Sequence, residues 1–229
     1  MKSKGQYREN LQAAFAAKVS GKLAQRIRGL QAYRASRQVF ISPVPLLAQA
    51  RINTLLDGKE LVMPAPGLKE GFFLLKPYSV PFPKLSTAVD VTGISQFGSV
   101  IPPEGLVRLE VGMFVTEALL VNRNGVRLGD GTGYFDLAVA ILHAYGGIAK
   151  DWEVWVALDD ASRLVPDNLP TDPWDISAQG VITPNSCNEL GQSKISSPKI
   201  YWQHLSPKIV RKITPLWKLS GNSLLDPRT

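Results

Sequence analysis

The sequence predicts an α/β fold with a mostly parallel sheet. Three observations carry that prediction. Strand-length apolar runs recur along the chain, segments with helical periodicity lie between several of them, and hydrophobic residues make up 45% of the 229 residues, enough for a sizeable core.

The elements follow in order. Leu11, Phe15, Val19, Leu23, Ile27 and Leu30 fall three or four residues apart, so residues 7–34 read as helix with one apolar stripe. Gly21 and Gly29 weaken the pattern, and a break is expected near Ser20-Gly21. Val39–Ser42 reads as a short strand ended by Pro43-Val44-Pro45, and Leu46–Leu56 as a helix closed by Asp57-Gly58. Glu60–Met63 and Phe72–Leu75 read as strands. Residues 76–105, rich in Pro, Gly and Ser, read as an irregular excursion with one short strand near Val89–Ile94. Met113–Val121 is an apolar run broken only by Thr116 and Glu117, which suits a buried central strand. Asn122–Gly133 is a turn-rich loop with four glycines, and Tyr134–His143 reads as a helix followed by Gly146-Gly147. Val154–Leu158 and Gly180–Thr183 are the last strands expected.

Charge is unevenly spread. The net charge of +7 invites a nucleic-acid reading. Residues 1–37, however, hold nine Lys/Arg against Glu9, and residues 194–229 hold seven against Asp226, leaving a net −7 on residues 38–193. An RNA-binding surface would interleave aromatic residues with the basic ones. The first segment offers only Tyr7, Phe15 and Tyr33, with Phe15 on the apolar stripe, so nucleic acid ranks last among the partners. No apolar run approaches the length of a membrane span, so no membrane partner is expected. The N-terminus lacks the pattern of a secretory signal, although its basic amphipathic character is compatible with organelle targeting. The single Cys187 excludes an internal disulfide, and a cytoplasmic, reducing compartment is expected.

The most informative segment is Gly125 to Asp136. A buried strand leads into it and a helix leaves it. Gly129, Gly131 and Gly133 let backbone N–H groups approach a ligand closely, and the following helix end favours an anion. Arg127 adds a guanidinium fork suited to phosphate, and Asp136 is placed to hold Mg²⁺ against phosphate oxygens. No Gly-Lys-Ser/Thr follows, so this is not a Walker A loop, and the glycine spacing does not fit the dinucleotide fingerprint. Elsewhere, His143 and His204 have no ligand partner at metal spacing, Cys187 has no nearby histidine, and Asp159-Asp160 reads foremost as a solvated turn. Trp152, Trp155, Trp174, Trp202 and Trp217 read as packing residues.

Arg127 to Asp136 resembles the hallmark R-x-G-x-G-x-G-Y/F-Y-D of the 5-formyltetrahydrofolate cyclo-ligase family, also called methenyltetrahydrofolate synthetase. Lys4 and Arg8 match its opening K-x-x-x-R. Gly58, Lys59 and Pro64 match a G-K-x-x-x-x-P segment, and Asp175 to Thr183-Pro184 match a later element. Tyr134-Phe135-Asp136-Leu137 and the stretch from Pro198 to Leu205 resemble the divergent, cyclo-ligase-like branch.

The resemblance implies one domain over residues 1–229, with a basic N-terminal helical segment (1–37) and a basic C-terminal extension (185–229). It implies a three-layer α/β/α architecture similar to the NagB/RpiA/CoA-transferase-like fold. It also implies closure of 5-formyltetrahydrofolate to 5,10-methenyltetrahydrofolate with ATP and Mg²⁺. The formyl oxygen attacks the terminal phosphate, the folate N10 attacks the resulting imidate, and phosphate leaves. Lys4, Arg8 and Arg127 would then contact the nucleotide, the backbone of Gly129, Gly131 and Gly133 would cradle its phosphates, and Asp136 and Asp175 would hold Mg²⁺. Tyr134 would lie at the folate–nucleotide junction, which with Arg127 makes it a catalytic candidate. The family's glutamate after the first strand is missing from Leu46–Ala50, its loop carries Asp130 where a basic or neutral residue is usual, and its glutamine maps near Ala161. A non-catalytic cyclo-ligase-like protein that binds a nucleotide or a folate is the alternative reading.

Overall fold

The computed structural model describes residues 3–9, 11, 17–166, 168–191 and 197–221. In chain order these form α1 (Lys4–Glu9), α2 (Ser20–Gly29), α3 (Gln31–Ala35), β1 (Gln38–Ile41), α4 (Ala48–Leu56), β2 (Glu60–Pro64), β3 (Phe72–Leu75), α5 (Leu85–Ala88) and α6 (Ile94–Phe97). There follow β4 (Ser99–Ile101), β5 (Val111–Glu117), β6 (Leu120–Asn122), β7 (Arg127–Leu128), α7 (Tyr134–Ala144), β8 (Ile148–Ala157), β9 (Leu164–Val165), β10 (Gly180–Ile182), β11 (Cys187–Glu189), α8 (Pro207–Lys212) and α9 (Thr214–Leu219).

The α/β prediction holds. An eight-stranded sheet runs in the order β11-β10-β8-β5-β1-β2-β3-β4, and a small one in the order β7-β6-β9. The five central strands of the large sheet are mutually parallel, and antiparallel β3, β4 and β11 finish its edges. All four residues of β1 are buried, as a central strand covered on both faces requires. Alternate residues feed two cores. On one face Val39, Met113 and Val115 pack with Leu23, Ile27 and Leu55 from α2 and α4. On the other, Phe40, Phe114 and Val156 pack with Ile141 and Leu142 of α7 and Leu216 of α9. The molecule is thus a three-layer α/β/α sandwich.

The topology also positions the cleft. From β1 the chain passes through α4, on one face, to the neighbouring β2. From β5 it passes through α7, on the other face, to β8. β1 and β5 are therefore adjacent strands whose connections diverge, and a crevice opens beyond their carboxyl ends.

Three sequence expectations need correction. Val89–Ile94 is not a strand. Val89, the C-cap of α5, and Ile94, the first residue of α6, are buried on either side of a turn between two short helices. The run Met113–Val121 is two strands, because β5 ends at Glu117 and the chain turns before β6. In the N-terminal segment Leu11 lies outside a helix and a 3₁₀ turn (Ala17–Val19) gives way to α2 at Ser20, so a boundary does fall where one is expected; a second break lies at Leu30, whose extended backbone (φ −70°, ψ 140°) separates α2 from α3. The Ser20 hydroxyl accepts the N–H of Gln49, docking α2 on the start of α4. Phe15 lies outside the described residues. Among those residues no helix is long and apolar enough to cross a membrane.

Candidate active site

The crevice is a cleft of about 460 Å³, and it gathers Lys4, Arg8, Arg127, the loop Gly129–Gly133, Tyr134, Asp136 and Asp175 on one lining. These residues span most of the sequence: Lys4 and Arg8 arrive on α1, Arg127 on β7, Tyr134 and Asp136 on α7, and Asp175 on the segment before β10.

The loop leaves β7 and enters α7 through Gly133, which takes a left-handed conformation (φ 70°), as does Gly131 (φ 96°). Glycine reaches this region without the cost that a Cβ imposes. The first N–H groups of α7 have no intrahelical acceptor, so they face the cleft as donors. Asp130 is exposed and turned onto its own loop, with its Oδ1 accepting from the Thr132 N–H (3.0 Å) and hydroxyl (2.8 Å). Its charge is thereby partly satisfied within the loop, rather than by a ligand.

Arg127 is only 6% exposed. Its Nε donates to the Ile176 carbonyl (3.2 Å), one terminal nitrogen pairs with Asp136, and the guanidinium lies 4.4 Å above the Phe135 ring. Three contacts of different kinds fix the fork in one orientation. Asp136 Oδ1 also accepts the N–H of Ile176 (2.9 Å), the residue after Asp175, which brings the segment carrying the second predicted acid against the first.

α1 crosses the cleft as a strap. Arg8 Nε donates to the Gly129 carbonyl (2.9 Å). Lys4 Nζ bonds Asp175 (2.5 Å) and also Asp172 (2.6 Å), an acid that sequence reasoning passed over. Asp175 in turn accepts the Asp172 N–H (2.7 Å). Each phosphate-binding candidate with a full charge and a carboxylate partner, Lys4 and Arg127, is thus neutralised by a metal-binding candidate. Hard carboxylate oxygens beside an anion-accepting loop are the donor set that Mg²⁺ takes, so Asp136 and Asp175 fit that ion, with phosphate oxygens completing its shell. Among the described residues no cluster of three or more His, Cys, Asp or Glu side chains is arranged to hold a metal alone.

Tyr134 is 43% exposed at the start of α7, with its hydroxyl over Gly67 in the turn after β2. It bridges the loop side of the cleft and the side formed by Pro64–Leu68. Lys59 lies away from the cleft, donating to the Ser36 carbonyl (2.6 Å). His204 packs on Trp174, with ring centroids 4.5 Å apart. Trp174 itself lines the cleft, so that one of the five tryptophans does more than pack. Asp160 caps a short 3₁₀ turn by accepting the Ser162 N–H, and Asp159 pairs with Arg163 (2.5 Å), so the acidic pair is used structurally.

Two further residues shape the deep end. Arg51 on α4 is 1% exposed and donates to the carbonyls of Val89 (2.8 Å), Ser42 (2.7 Å) and Val44 (2.9 Å). It ties the wall after β1 to the irregular segment before α6. Burial holds it at about 10, below the ordinary guanidinium range but still charged at neutral pH. Glu117, at the end of β5, is pushed up to about 7 by burial, then by Asp130 and Asp159, against the opposing pull of Arg163 and Arg51. An acid whose folded pKa is raised binds more protons folded than unfolded, so its contribution to stability falls as pH rises from about 4.3, the unfolded value, to about 7. Glu117→Gln is therefore expected to melt increasingly above wild type as pH climbs from 5 to 8. Parallel pH dependence of the two melting temperatures would refute the raised value.

Comparison with known proteins gives the family. The family model "5-formyltetrahydrofolate cyclo-ligase family" matches residues 3–184. The methenyltetrahydrofolate synthase domain-containing protein of Homo sapiens is 26% identical over 199 residues, covering 85% of this chain and 51% of that protein. Its Danio rerio counterpart is 26% identical over 201 residues, covering 85% and 51%. The chain thus spans about half the length of the curated relatives it matches. Among solved structures, the 5,10-methenyltetrahydrofolate synthetase of Aquifex aeolicus aligns at a TM-score of 0.49 with 19% identity, covering 88% of this chain and 95% of that one. With the family model matched over most of its length and the Arg127–Asp136 loop at the mouth of its cleft, the chain belongs to the 5-formyltetrahydrofolate cyclo-ligase family.

Proposed function

We propose that the protein closes 5-formyltetrahydrofolate to 5,10-methenyltetrahydrofolate at the expense of ATP. The observation that carries this reading is the convergence of α1, the glycine loop and the acid pair Asp136/Asp175 on one cleft. Phosphoryl transfer asks a protein for positioning and charge neutralisation more than for a nucleophile, and the cleft lining supplies both.

In this proposal the N–H groups of Gly129–Gly133 and the start of α7 hold the nucleotide phosphates. Arg127 sets its fork against the terminal phosphate from a buried, fixed position. Lys4 and Arg8 close over the phosphate chain from α1. Asp136 and Asp175 hold Mg²⁺, which supplies charge neutralisation on the phosphate oxygens. Ligand entry then passes Lys4 from carboxylate to phosphate, while Arg127 keeps its Asp136 and Ile176 contacts and turns its other terminal nitrogen to the ligand. Tyr134 positions the formyl group between Gly67 and the loop. The formyl oxygen displaces ADP from the terminal phosphorus, folate N10 adds to the activated carbon and loses its proton, and phosphate departs with the C–O electron pair.

Asp130 in the loop and the acid-free segment Leu46–Ala50 favour the second reading, a nucleotide- or folate-binding protein without turnover. The two differ in ADP release. Cyclo-ligation predicts ADP release that requires 5-formyltetrahydrofolate. Its absence, with MgATP still raising the melting temperature, would establish the second reading.

A further inference from the structure

Glu117 has no part in the chemistry described so far. It ends β5, lines the cleft, and its Oε2 is buried without a hydrogen-bond partner among the described residues. A carboxyl oxygen withdrawn from water with no donor is unfavourable, and a group left so in a cleft calls for a partner from outside the chain.

The surroundings narrow that partner. The cations nearest Glu117 are engaged elsewhere: Arg51 with three carbonyls, Arg163 with Asp159 and the Leu119 carbonyl. Beside Glu117 the Ser42 hydroxyl donates to Thr116 Oγ1 (3.0 Å), and the Ser42 N–H to the Val115 carbonyl (2.9 Å). Phe40, Pro43 and Val91 line the same cleft and give it apolar surface. An acceptor in a cleft with apolar lining suits a planar heterocycle that presents adjacent N–H donors.

We infer that Glu117 receives the paired N–H and NH₂ donors of a flat nitrogen heterocycle in the substrate. Under the function proposed above, on which this inference rests, the ring is the 2-amino-4-oxo edge of the pterin. The acid then comes from the end of β5, across from β1, rather than from the acid-free segment Leu46–Ala50 that follows β1.

The charge environment has a consequence for binding. Asp130 on the glycine loop and Asp159 after β8 face Glu117 and oppose its ionisation, while Arg163 and Arg51 favour it. Two ring donors favour the ionised form, so folate binding releases a proton near pH 7 and weakens by up to tenfold per pH unit below it.

The test is calorimetric titration of the full chain with 5-formyltetrahydrofolate from pH 5.5 to 8, with MgATP thermal shifts in parallel. Glu117→Gln is expected to weaken folate binding at least tenfold and to flatten its pH dependence, while retaining the MgATP shift. A merely structural role would weaken both ligands alike. Equal folate affinity in Glu117→Gln and wild type would overturn the Glu117 assignment alone. A wild-type protein that binds MgATP but no folate would overturn both this inference and the folate half of the proposed function. If Glu117→Gln does not fold, wild type decides: absence of proton release on folate binding, read from heats in buffers of different ionisation enthalpy, would overturn the inference.

Discussion

Arg127→Ala is expected to abolish stabilisation by MgATP and to cost the unliganded protein about 3–5 kcal/mol, the usual consequence of breaking a buried ion pair from one side. Both effects come from the same contacts. The guanidinium is fixed by the Ile176 carbonyl, Asp136 and the Phe135 ring, and its removal leaves the Asp136 carboxylate without its cation. Because a loss of fold would mask a loss of binding, Arg127→Lys serves as the companion. Lysine keeps the charge but cannot reach the Ile176 carbonyl and a phosphate with a planar fork. It is expected to fold and to bind MgATP at least tenfold more weakly. A wild-type MgATP shift in either variant would refute the assignment of the loop.

Arg51→Met is expected to be the most destabilising change away from the loop. Methionine matches much of the volume but leaves the Val89, Ser42 and Val44 carbonyls without their shared donor. At about 1–3 kcal/mol for each buried group left unsatisfied, partly relieved by relaxation, a loss of about 3–5 kcal/mol is expected. For a chain of 229 residues that lowers the melting temperature on the order of 10 °C. Ser42, Val44 and Val91 line the cleft, so ligand affinity should fall with it. A drop of less than about 3 °C would show that water or rearranged backbone replaces the guanidinium.

Arg51 also marks a limit of sequence reading. On Leu46–Leu56 a single arginine has the pattern of a solvated position, and nothing local tells that the nearby Ser42 and Val44 carbonyls and the distant Val89 carbonyl converge on it. The central strands are legible because a parallel strand covered on both faces carries an unbroken apolar stretch, as in Val39–Ile41 and Met113–Val115. The same rule misleads at Val89–Ile94, where Val89 and Ile94 are buried at a turn over the sheet while Asp90 and Thr92 between them are exposed.

The glycine loop was legible because its requirement is local: positive φ at Gly131 and Gly133, immediately before a helix. The pairings Lys4–Asp172 and Lys4–Asp175 were not, since they join residues about 170 positions apart. Glu117 did carry a signal. An acid at the carboxyl end of an otherwise apolar central strand sits where clefts of such sheets form, yet it first reads as an interruption of the run. Trp174 carried none, because tryptophan in a core and tryptophan in a cleft wall look alike in one sequence.

Cyclisation in this cleft is the proposal on which the residue roles above depend. The most direct measurement mixes the purified chain with 5-formyltetrahydrofolate and MgATP and follows the absorbance of the methenyl product, with ADP counted in the same samples. Absorbance is expected to rise only when all components are present, with one ADP per methenyl group, and more slowly in Arg127→Lys. A flat trace from protein that binds both ligands would contradict it.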